Sequence, residues 1–460
     1  MDYIHRGVNF MCMEVPMFIY MASSFIRMPV YQSMLYEKVC WRRYDVNSTI
    51  DCTNSTQIRF DTGIHEDYNR LFLTSSLCLL IPSLIFTILL GSLSDVWSSK
   101  KAMIIPFIGL ILGDFNYIFQ ASFMDINPYF VVISDILFGI FGGYSAIIST
   151  MFSHSIKVTM FEDRSERVAL LEGAIGLGAT IGSFASGILR QATSYSVVFT
   201  INCFLHVLSV IYIIVAASDI PLMDNGEART QMASIADGVR MRLKEYGNVI
   251  TAHRESCLRM LIFATFLALS IELFSYSGVS DILFSFLLHR FAWTDREYGF
   301  FRSLSSALGC IMTLVGYPLL RKRADWSNAS LAILGVLMKI IFLLTLAFSY
   351  NPVVTYLTVI PQSFMRFVAS GLRAMIGQFV MDSEQGRIFA LIAVVESISS
   401  IFATTIFNGL YPKTLKTFDG LVFVLTAVAL LLPLVIIIGI RRKMKTAWAD
   451  DEELERLRRE

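Results

Sequence analysis

The sequence predicts an all-α membrane protein whose chain crosses the bilayer about twelve times, arranged as two bundles of six helices. Three observations lead there. First, 55% of the 460 residues are hydrophobic and only 16% are charged, against about a quarter charged in soluble domains. Second, runs such as "LFLTSSLCLLIPSLIFTILLG" and "LVFVLTAVALLLPLVIIIGI" reach the roughly 20 residues needed to cross a hydrocarbon core as a helix. Third, motifs in the first half recur in the second at an offset of about 220 residues.

Marking the apolar runs gives predicted helices over 13–36, 70–92, 102–123, 128–152, 168–189, 196–217, 258–288, 297–319, 329–349, 354–380, 387–410 and 418–440. The first is read as a retained span rather than a cleaved leader, because Glu14 and Pro16 interrupt its apolar run and it then continues to full length. Residues 1–12 form an N-terminal segment, 13–217 the first bundle, 258–440 the second, and 441–460 a tail. Between the bundles, hydrophobicity collapses over 218–257. There Met232, Ile235, Val239 and Leu243 recur at helical spacing, which predicts an amphipathic helix, most simply a locally packed tether.

The loop 37–69 carries Cys40, Cys52 and two N-x-[ST] sequons, Asn47 and Asn54. Two sequons beside a cysteine pair favour an outside or lumenal face, which puts both termini in the cytosol. Lys100 and Lys101, Arg164 and Arg167, Arg321 to Arg323 and the "RRKMK" tail agree with that orientation. The sequon at Asn328 then falls on the cytosolic side, where it stays unused. Lys38, Arg42 and Arg43 run against the charge rule, in a long loop that it constrains least. Of the seven cysteines, Cys12, Cys78, Cys203, Cys257 and Cys310 lie in or beside apolar segments without metal-ligand spacing and read as packing residues.

The two halves echo one another. "GSLSDVWSSKK" after the second span has a basic counterpart in "GYPLLRKR" after the eighth, and "FEDRSERVALLEG" before the fifth resembles "MDSEQGRIFALIA" before the eleventh, so that Arg167 matches Arg387. A parallel six-helix repeat is a transporter architecture with its solute site near the midplane between the halves.

Ionisable residues inside spans are costly and normally face a bundle interior or a cavity. This chain places Arg27, Asp114, Asp135, Glu172, Glu272, Asp281, Arg302, Lys339, Arg366, Arg373 and Glu396 there. For any one of them an ion pair that fixes packing is as good a reading as a functional role. Lys339 reads as a snorkelling or structurally paired side chain and Asp114 as a helix-packing residue, so both are set aside as functional candidates. Glu172, in "ALLEGAIGLGATIGS", is set among Gly173, Gly176, Gly178, Gly182 and Gly187, which let another helix approach closely. A carboxylate in such low-dielectric surroundings suits the binding and release of protons. The glycine spacing superficially resembles a dinucleotide loop, but no strand precedes it. Arg373, in "SGLRAMIG", is a permanent cation among small residues and the natural anchor for an anionic solute; its alternative is a partner to Glu172, Asp281 or Glu396.

With "GSLSD", "ALLEGAIG", "SDILF", "LRAMIGQFVMDSEQG" and "IFNGLYPKTL" on the page, the chain resembles solute carrier family 46 of the major facilitator superfamily, the group that includes the proton-coupled folate transporter, from Glu14 to about Ile440. The resemblance implies alternating access of two six-helix bundles and proton-coupled uptake of organic anions. By motif, Glu172 matches the proton-coupling glutamate and Arg373 the arginine of substrate and proton handling. Asp95 matches the acid of a gating loop of which Lys100 and Lys101 remain, while Val96, Ser98 and Ser99 depart from the pattern. Tyr276 stands where the folate transporter has a histidine, Asp135 where it has an arginine and Arg27 where it has a glutamine, a redistribution of charge in which Arg27 and Asp135 are expected to pair. Ala292 takes the place of a loop cysteine there, so Cys52 is expected to pair with Cys40. Arg27, Tyr276, Asp135, Asp281 and Glu396 join Arg373 as candidate substrate-binding residues.

The expected partners are an organic anion of folate-like, muropeptide or cyclic-dinucleotide class, protons and the lipid bilayer. No cofactor and no metal is expected. Net charge near zero gives no sign of nucleic-acid binding. The expected location is the plasma membrane ahead of the endolysosomal membrane. A competing reading is a non-transporting receptor on a transporter scaffold, which the departures in the gating loop permit. An enzyme is disfavoured because the six histidines show no paired metal spacing and no nucleophile motif stands out.

Overall fold

The computed structural model describes residues 13–44, 50–96, 99–159, 164–217, 244, 256–380 and 385–449. Among them twelve helical segments match the twelve predicted spans. α1 is Glu14–Arg43, α2 Thr62–Val96 and α3 Ser99–Ser122. α4 opens with a 3-10 turn at Pro128–Val131 and continues as Val132–Ile140 and Gly143–Val158. α5 is Arg164–Ala192, α6 Tyr195–Ala216 and α7 Ser256–Phe291. α8 runs Asp295–Ile311, then a π segment Met312–Gly316, then Tyr317–Arg323. α9 is Asn328–Phe348, and α10 comprises Pro352–Leu357, Val359–Gln362 and Arg366–Gln378. α11 is Gln385–Thr414, and α12 joins Leu421–Ala429 to Leu431–Ala449. Ten of these segments are long and apolar enough to cross a membrane. The other two are α1, which carries Glu14, Arg27, Glu37 and Lys38, and α10, whose helical pieces are short.

Several boundaries differ from expectation for one reason: apolar runs mark the lipid-buried part of a helix, and helices project beyond it. α1 continues to Arg43 and α2 begins at Thr62, so the expected loop 37–69 shrinks to 44–61 and contains a one-turn helix, Ser55–Ile58. α4 breaks at Gly142 and Gly143, where φ is +102° and +62°, a conformation that glycine adopts without a Cβ penalty. The amphipathic pattern of Met232, Ile235, Val239 and Leu243 lies outside the described residues, as does Asn47.

The chain forms two compact units, residues 1–242 with 287–307, and residues 243–286 with 308–460. In the first, Met17, Tyr20, Met21, Phe107, Leu110, Ile147, Met151 and Leu171 belong to one fully or nearly fully buried cluster. α1 lies tightly along α5 because Gly178 and Gly182 lack side chains: a Cβ on Gly182 would fall 2.2 Å from the Ala22 carbonyl oxygen. At the end of the unit bearing the 44–61 loop, α5 meets the start of α8 in successive rungs. A Cβ on Gly187 would lie 2.5 Å from Arg296 Cα, and one on Gly299 2.7 Å from the Ser183 carbonyl; Ser303 Oγ donates to the Thr180 carbonyl at 3.0 Å. Beside these rungs Arg190 lies 4.0 Å from Glu37 and 3.9 Å from Asp295, its guanidinium 3.7 Å from the centre of the Tyr195 ring.

The loop is anchored covalently and by hydrogen bonds. Cys40 and Cys52 form a disulfide with Cα atoms 5.7 Å apart. Asn54 caps the one-turn helix by accepting from the Thr56 N–H. His65 and His289 both contact the Arg59 carbonyl oxygen, at 2.8 and 2.7 Å, and Tyr36 hydroxyl lies 2.8 Å from His65 Nδ1. Lys38, 1% exposed, places its ammonium on the carbonyls of Phe123, Met124 and Ile126, so it caps the end of α3 instead of facing solvent. Asp61 begins α2, accepting from the N–H groups of Gly63 and Ile64 and from the Tyr44 hydroxyl.

Two predictions follow from these contacts. Gly182→Val forces a side chain into the α1 backbone and is expected to cost at least the ~1–3 kcal/mol of ordinary overpacking, read as loss of monodisperse protein by fluorescence-detected size exclusion. Gly439→Val, with nothing within 4 Å of its Cβ position, is the neutral control. For Asp61, burial alone would raise the carboxyl, but the hydrogen bonds from Tyr44, Ile64 and Gly63 and the charge of Arg43 outweigh it and hold it below its ordinary value. The stabilisation is therefore present above the unfolded value of about 3.9 and is lost as pH falls through the lower folded value. Hydrogen exchange of 50–61 should stay slow in mildly acidic buffer and accelerate only below about pH 4.

Candidate functional site

The first unit holds a buried polar network between α1, α2, α3 and α4. Tyr31, Tyr117 and Asp135 are each less than 9% exposed. Tyr117 hydroxyl donates to Asp135 Oδ1 at 2.7 Å, and Ser75 Oγ donates to Oδ2 at 2.5 Å. Because Ser75 spends its proton on Asp135, the 2.6 Å contact with Tyr31 hydroxyl is donated by Tyr31. Arg27 was expected to pair with Asp135, and the structure corrects this: no Arg27 nitrogen lies within 4.0 Å of that carboxylate. The guanidinium instead lies over two rings, 5.5 Å from the centre of Tyr117 and 6.0 Å from that of Phe138. Hydroxyls already occupy the carboxylate, so the tyrosine ring separates the two charges and leaves the Arg27 N–H edges for another acceptor.

One turn away along α1, Ser23 Oγ lies 2.7 Å from His206 Nε2, and His206 Nδ1 lies 2.6 Å from Asp114 Oδ2. A serine, histidine and acid in this order have the form of a hydrolytic triad. All three are 0% exposed, and Ser23 Oγ is also 2.8 Å from the Tyr20 carbonyl, so no substrate reaches the hydroxyl. The cluster fastens α1 to α3 and α6 and accords with the packing role expected of Asp114. A further pair, Arg167 and Glu14 at 3.0 Å, joins α5 to α1.

Glu172 differs from all of these. It lies on α5 eleven residues before Ser183, three helical turns along the same face. Past the last rung with α8 it is exposed, and no hydrogen bond or ion pair reaches it among the described residues. The expectation that glycines enclose it is therefore corrected. Gly178 and Gly182 point at α1, one side of α5, while Glu172 occupies another.

In the second unit, Lys339 of α9 donates to Glu272 Oε1 of α7 at 2.8 Å, and both side chains are almost fully buried. The Tyr276 ring, 49% exposed, has its centre 6.0 Å from the Lys339 ammonium. Arg373 of α10 pairs with Glu396 of α11 at 3.0 Å, with 37% and 48% of the two side chains exposed. Of the partners open to Arg373 from sequence, Glu396 is the one in contact. Asp281 of α7 accepts from Thr404 Oγ1 at 2.6 Å and from Asn408 Nδ2 at 3.3 Å, both on α11.

For the candidate gate, Lys100 donates to the Ile214 carbonyl at 2.6 Å, close to the end of α6. Lys101 is exposed, and the Asp95 side chain lies outside the described residues. Reasoning from sequence missed Ser23, Tyr31, Ser75, Tyr117 and His206. A readable signal existed for part of the set: Tyr20, Ser23, Arg27 and Tyr31 recur every three or four residues, a polar stripe along α1. No group of three or more histidine, cysteine or acidic residues able to hold a metal occurs among the described residues.

These features define a helical membrane protein with charged residues held in its spans, and comparison with known proteins agrees. The Major Facilitator Superfamily profile matches residues 17–404, and the chain belongs to that superfamily. It is 23% identical over 459 residues to the lysosomal proton-coupled steroid conjugate and bile acid symporter SLC46A3 of Gallus gallus, covering 95% of each chain. It is 26% identical over 364 residues to the proton-coupled folate transporter of Bos taurus, covering 76% of this chain and 73% of that one. Among solved structures, a D-xylose-proton symporter shares the fold with a TM-score of 0.67 at 12% identity, covering 94% of this chain and 96% of that one.

The buried pair in the second unit yields a prediction. Lys339→Met leaves Glu272 without its cation and is expected to destabilise the protein by ~3–5 kcal/mol. Lys339→Met with Glu272→Leu should recover most of that loss, checked by thermal unfolding of the purified protein.

Proposed function

We propose that this protein is a proton-coupled secondary transporter of an organic anion, working by alternating access of bundles 13–217 and 258–440. The observation that carries the reading is the contrast between Glu172 and the other charged groups. Most intramembrane acids are held by a cation or by hydroxyl donors, whereas Glu172 has no partner and is accessible, which a group that exchanges protons requires. Arg27, framed by Tyr117 and Phe138 with its N–H edges unused, and Arg373, on an accessible pair with Glu396, are the anion anchors. The Arg373–Glu396 pair gives the solute a carboxylate to displace. Tyr276, half exposed, supplies an aromatic wall.

The anion is amphipathic. The relatives' names specify steroid conjugates, bile acids and folate, and two aromatic rings frame the Arg27 anchor here. Both termini face the cytosol, Asn54 is the glycosylation site on the opposite face, and Asp95 with Lys100 and Lys101 forms the cytosolic gate. The chain acts in the plasma or the endolysosomal membrane.

The test is uptake of a labelled bile acid and a labelled antifolate into proteoliposomes, with and without an inward proton gradient. Wild type is expected to accumulate one of them only with the gradient. Glu172→Gln should lose gradient-driven accumulation while keeping solute exchange, and Arg373→Ala should lose both, by tenfold or more for one charge-assisted contact of ~1.5–3 kcal/mol. Unchanged accumulation in Glu172→Gln contradicts the assignment of the coupling site.

A further inference from the structure

Sorting the acids of the spans by partner leaves one whose chemistry the reading above does not use. Glu14 has Arg167, Asp114 has His206, Glu272 has Lys339 and Glu396 has Arg373. Asp135 is held by two hydroxyls with Arg27 across the Tyr117 ring. Asp281 accepts from one hydroxyl and one amide, and no lysine, arginine or histidine nitrogen lies within 4.0 Å of it among the described residues.

Its carboxylate is partly buried, with aromatic packing on one side. Gly278, three residues before it on α7, admits the Phe407 ring so closely that a Cβ would fall 2.3 Å from it, and Phe274 packs edge-on to Phe407 at 5.5 Å. Aromatic side chains thus fill the seam between α7 and α11 one turn before the partly buried carboxylate. Asn408, 3% exposed, supplies a second anomaly: its Oδ1 is buried and receives no hydrogen bond. An anion without a counter-charge and an acceptor without a donor therefore lie side by side, each costly at membrane depth.

We infer that Asp281 is a proton-binding site of the second unit, with Thr404 and Asn408 as its hydrogen-bond partners, separate from Glu172. A proton on the carboxyl removes the uncompensated charge. Rotation of the Asn408 amide then presents Oδ1 to the new O–H donor, so the one proton satisfies both groups. Loss of the proton restores the anion between α7 and α11, where Thr404 and Asn408 alone must hold it. The charged and titratable groups on the packed elements do not provide a substitute. On α7, Glu272 is bound to Lys339, and Tyr276 lies five residues away; on α11, Glu396 is bound to Arg373, and Tyr411 is a neutral phenol three residues beyond Asn408. α9 contributes Lys339 alone, and α12 has no charged residue between Leu421 and Ile440.

The inference deepens the proposed proton coupling, but its test needs no transported solute. Infrared difference spectra of the protein in lipid nanodiscs, between mildly acidic and alkaline buffer, report the C=O stretch of protonated carboxylic acids. Wild type should show this band, Asp281→Asn should lose one component of it, and Glu172→Gln should retain that component. Thr404→Val, which removes a donor to the ionised form and leaves the packing volume nearly unchanged, should make the component persist to more alkaline buffer. A band in Asp281→Asn identical to wild type overturns the inference, as does a Thr404→Val titration that does not move. Failure of the uptake assay with the infrared component intact would instead sink the transport reading and leave the proton site standing.

Discussion

A charge placed at membrane depth without a partner is the constraint on which this structure depends. Insertion alone costs several kcal/mol per group, and breaking a buried pair costs about as much again. The chain answers by turning most of its intramembrane charges into bridges between helices. Arg167 with Glu14 ties α5 to α1, the Ser23, His206 and Asp114 cluster ties α1 to α3 and α6, and Lys339 with Glu272 ties α9 to α7. In each half of the chain the first helix is thereby fastened to the third by groups that are almost wholly buried. A helix held this way keeps its register, and the aromatic frame of Arg27 and the carboxylates further along the same helices gain their positions from it.

Small residues act on the same geometry from another side. Gly178 and Gly182 bring α5 against the backbone of α1, and Gly187 and Gly299 bring α5 against α8. Close approach at these points fixes which face of α5 is used for packing. Glu172 lies beyond them, on the face that meets α8 three turns on, and so combines a fixed backbone with an accessible carboxylate. The roles of the acids thus follow from where cations were placed, since Glu and Asp appear in both the locked and the unlocked set.

The twelve spans were legible because a membrane-crossing helix needs a continuous apolar run, and each run marks its own segment. Helix ends were less legible: α1 runs to Arg43 and α2 starts at Thr62 because polar residues extend a helix into water as readily as they leave it. The break at Gly142 and Gly143 needed the backbone geometry. Within the site, the ionisable residues could be named from sequence since they interrupt apolar runs, and a pairing partner of Arg373 was among the alternatives. The pairings themselves were not legible. His206 meets Asp114 across 92 residues and Ser23 across 183, and no local pattern records such contacts. The Arg27 and Asp135 case shows the limit well, because opposite charges on neighbouring helices suggested an ion pair while three hydroxyl-bearing side chains had already taken the carboxylate's environment.

The central claim is that Asp114 and Glu272, each held by a basic side chain, serve structure, whereas Glu172 and Asp281, with none among the described residues, serve proton exchange. The most direct test is a carboxylate-to-amide series in which melting temperature and the effect of a proton gradient on anion uptake are measured on the same preparations. The account predicts a separation: Asp114→Asn and Glu272→Gln lower the melting temperature while the protein that remains folded keeps its response to the gradient, and Glu172→Gln and Asp281→Asn melt as wild type does with that response lost. A series in which stability and gradient response fall together, or in which Asp114→Asn abolishes the response without loss of stability, would contradict it.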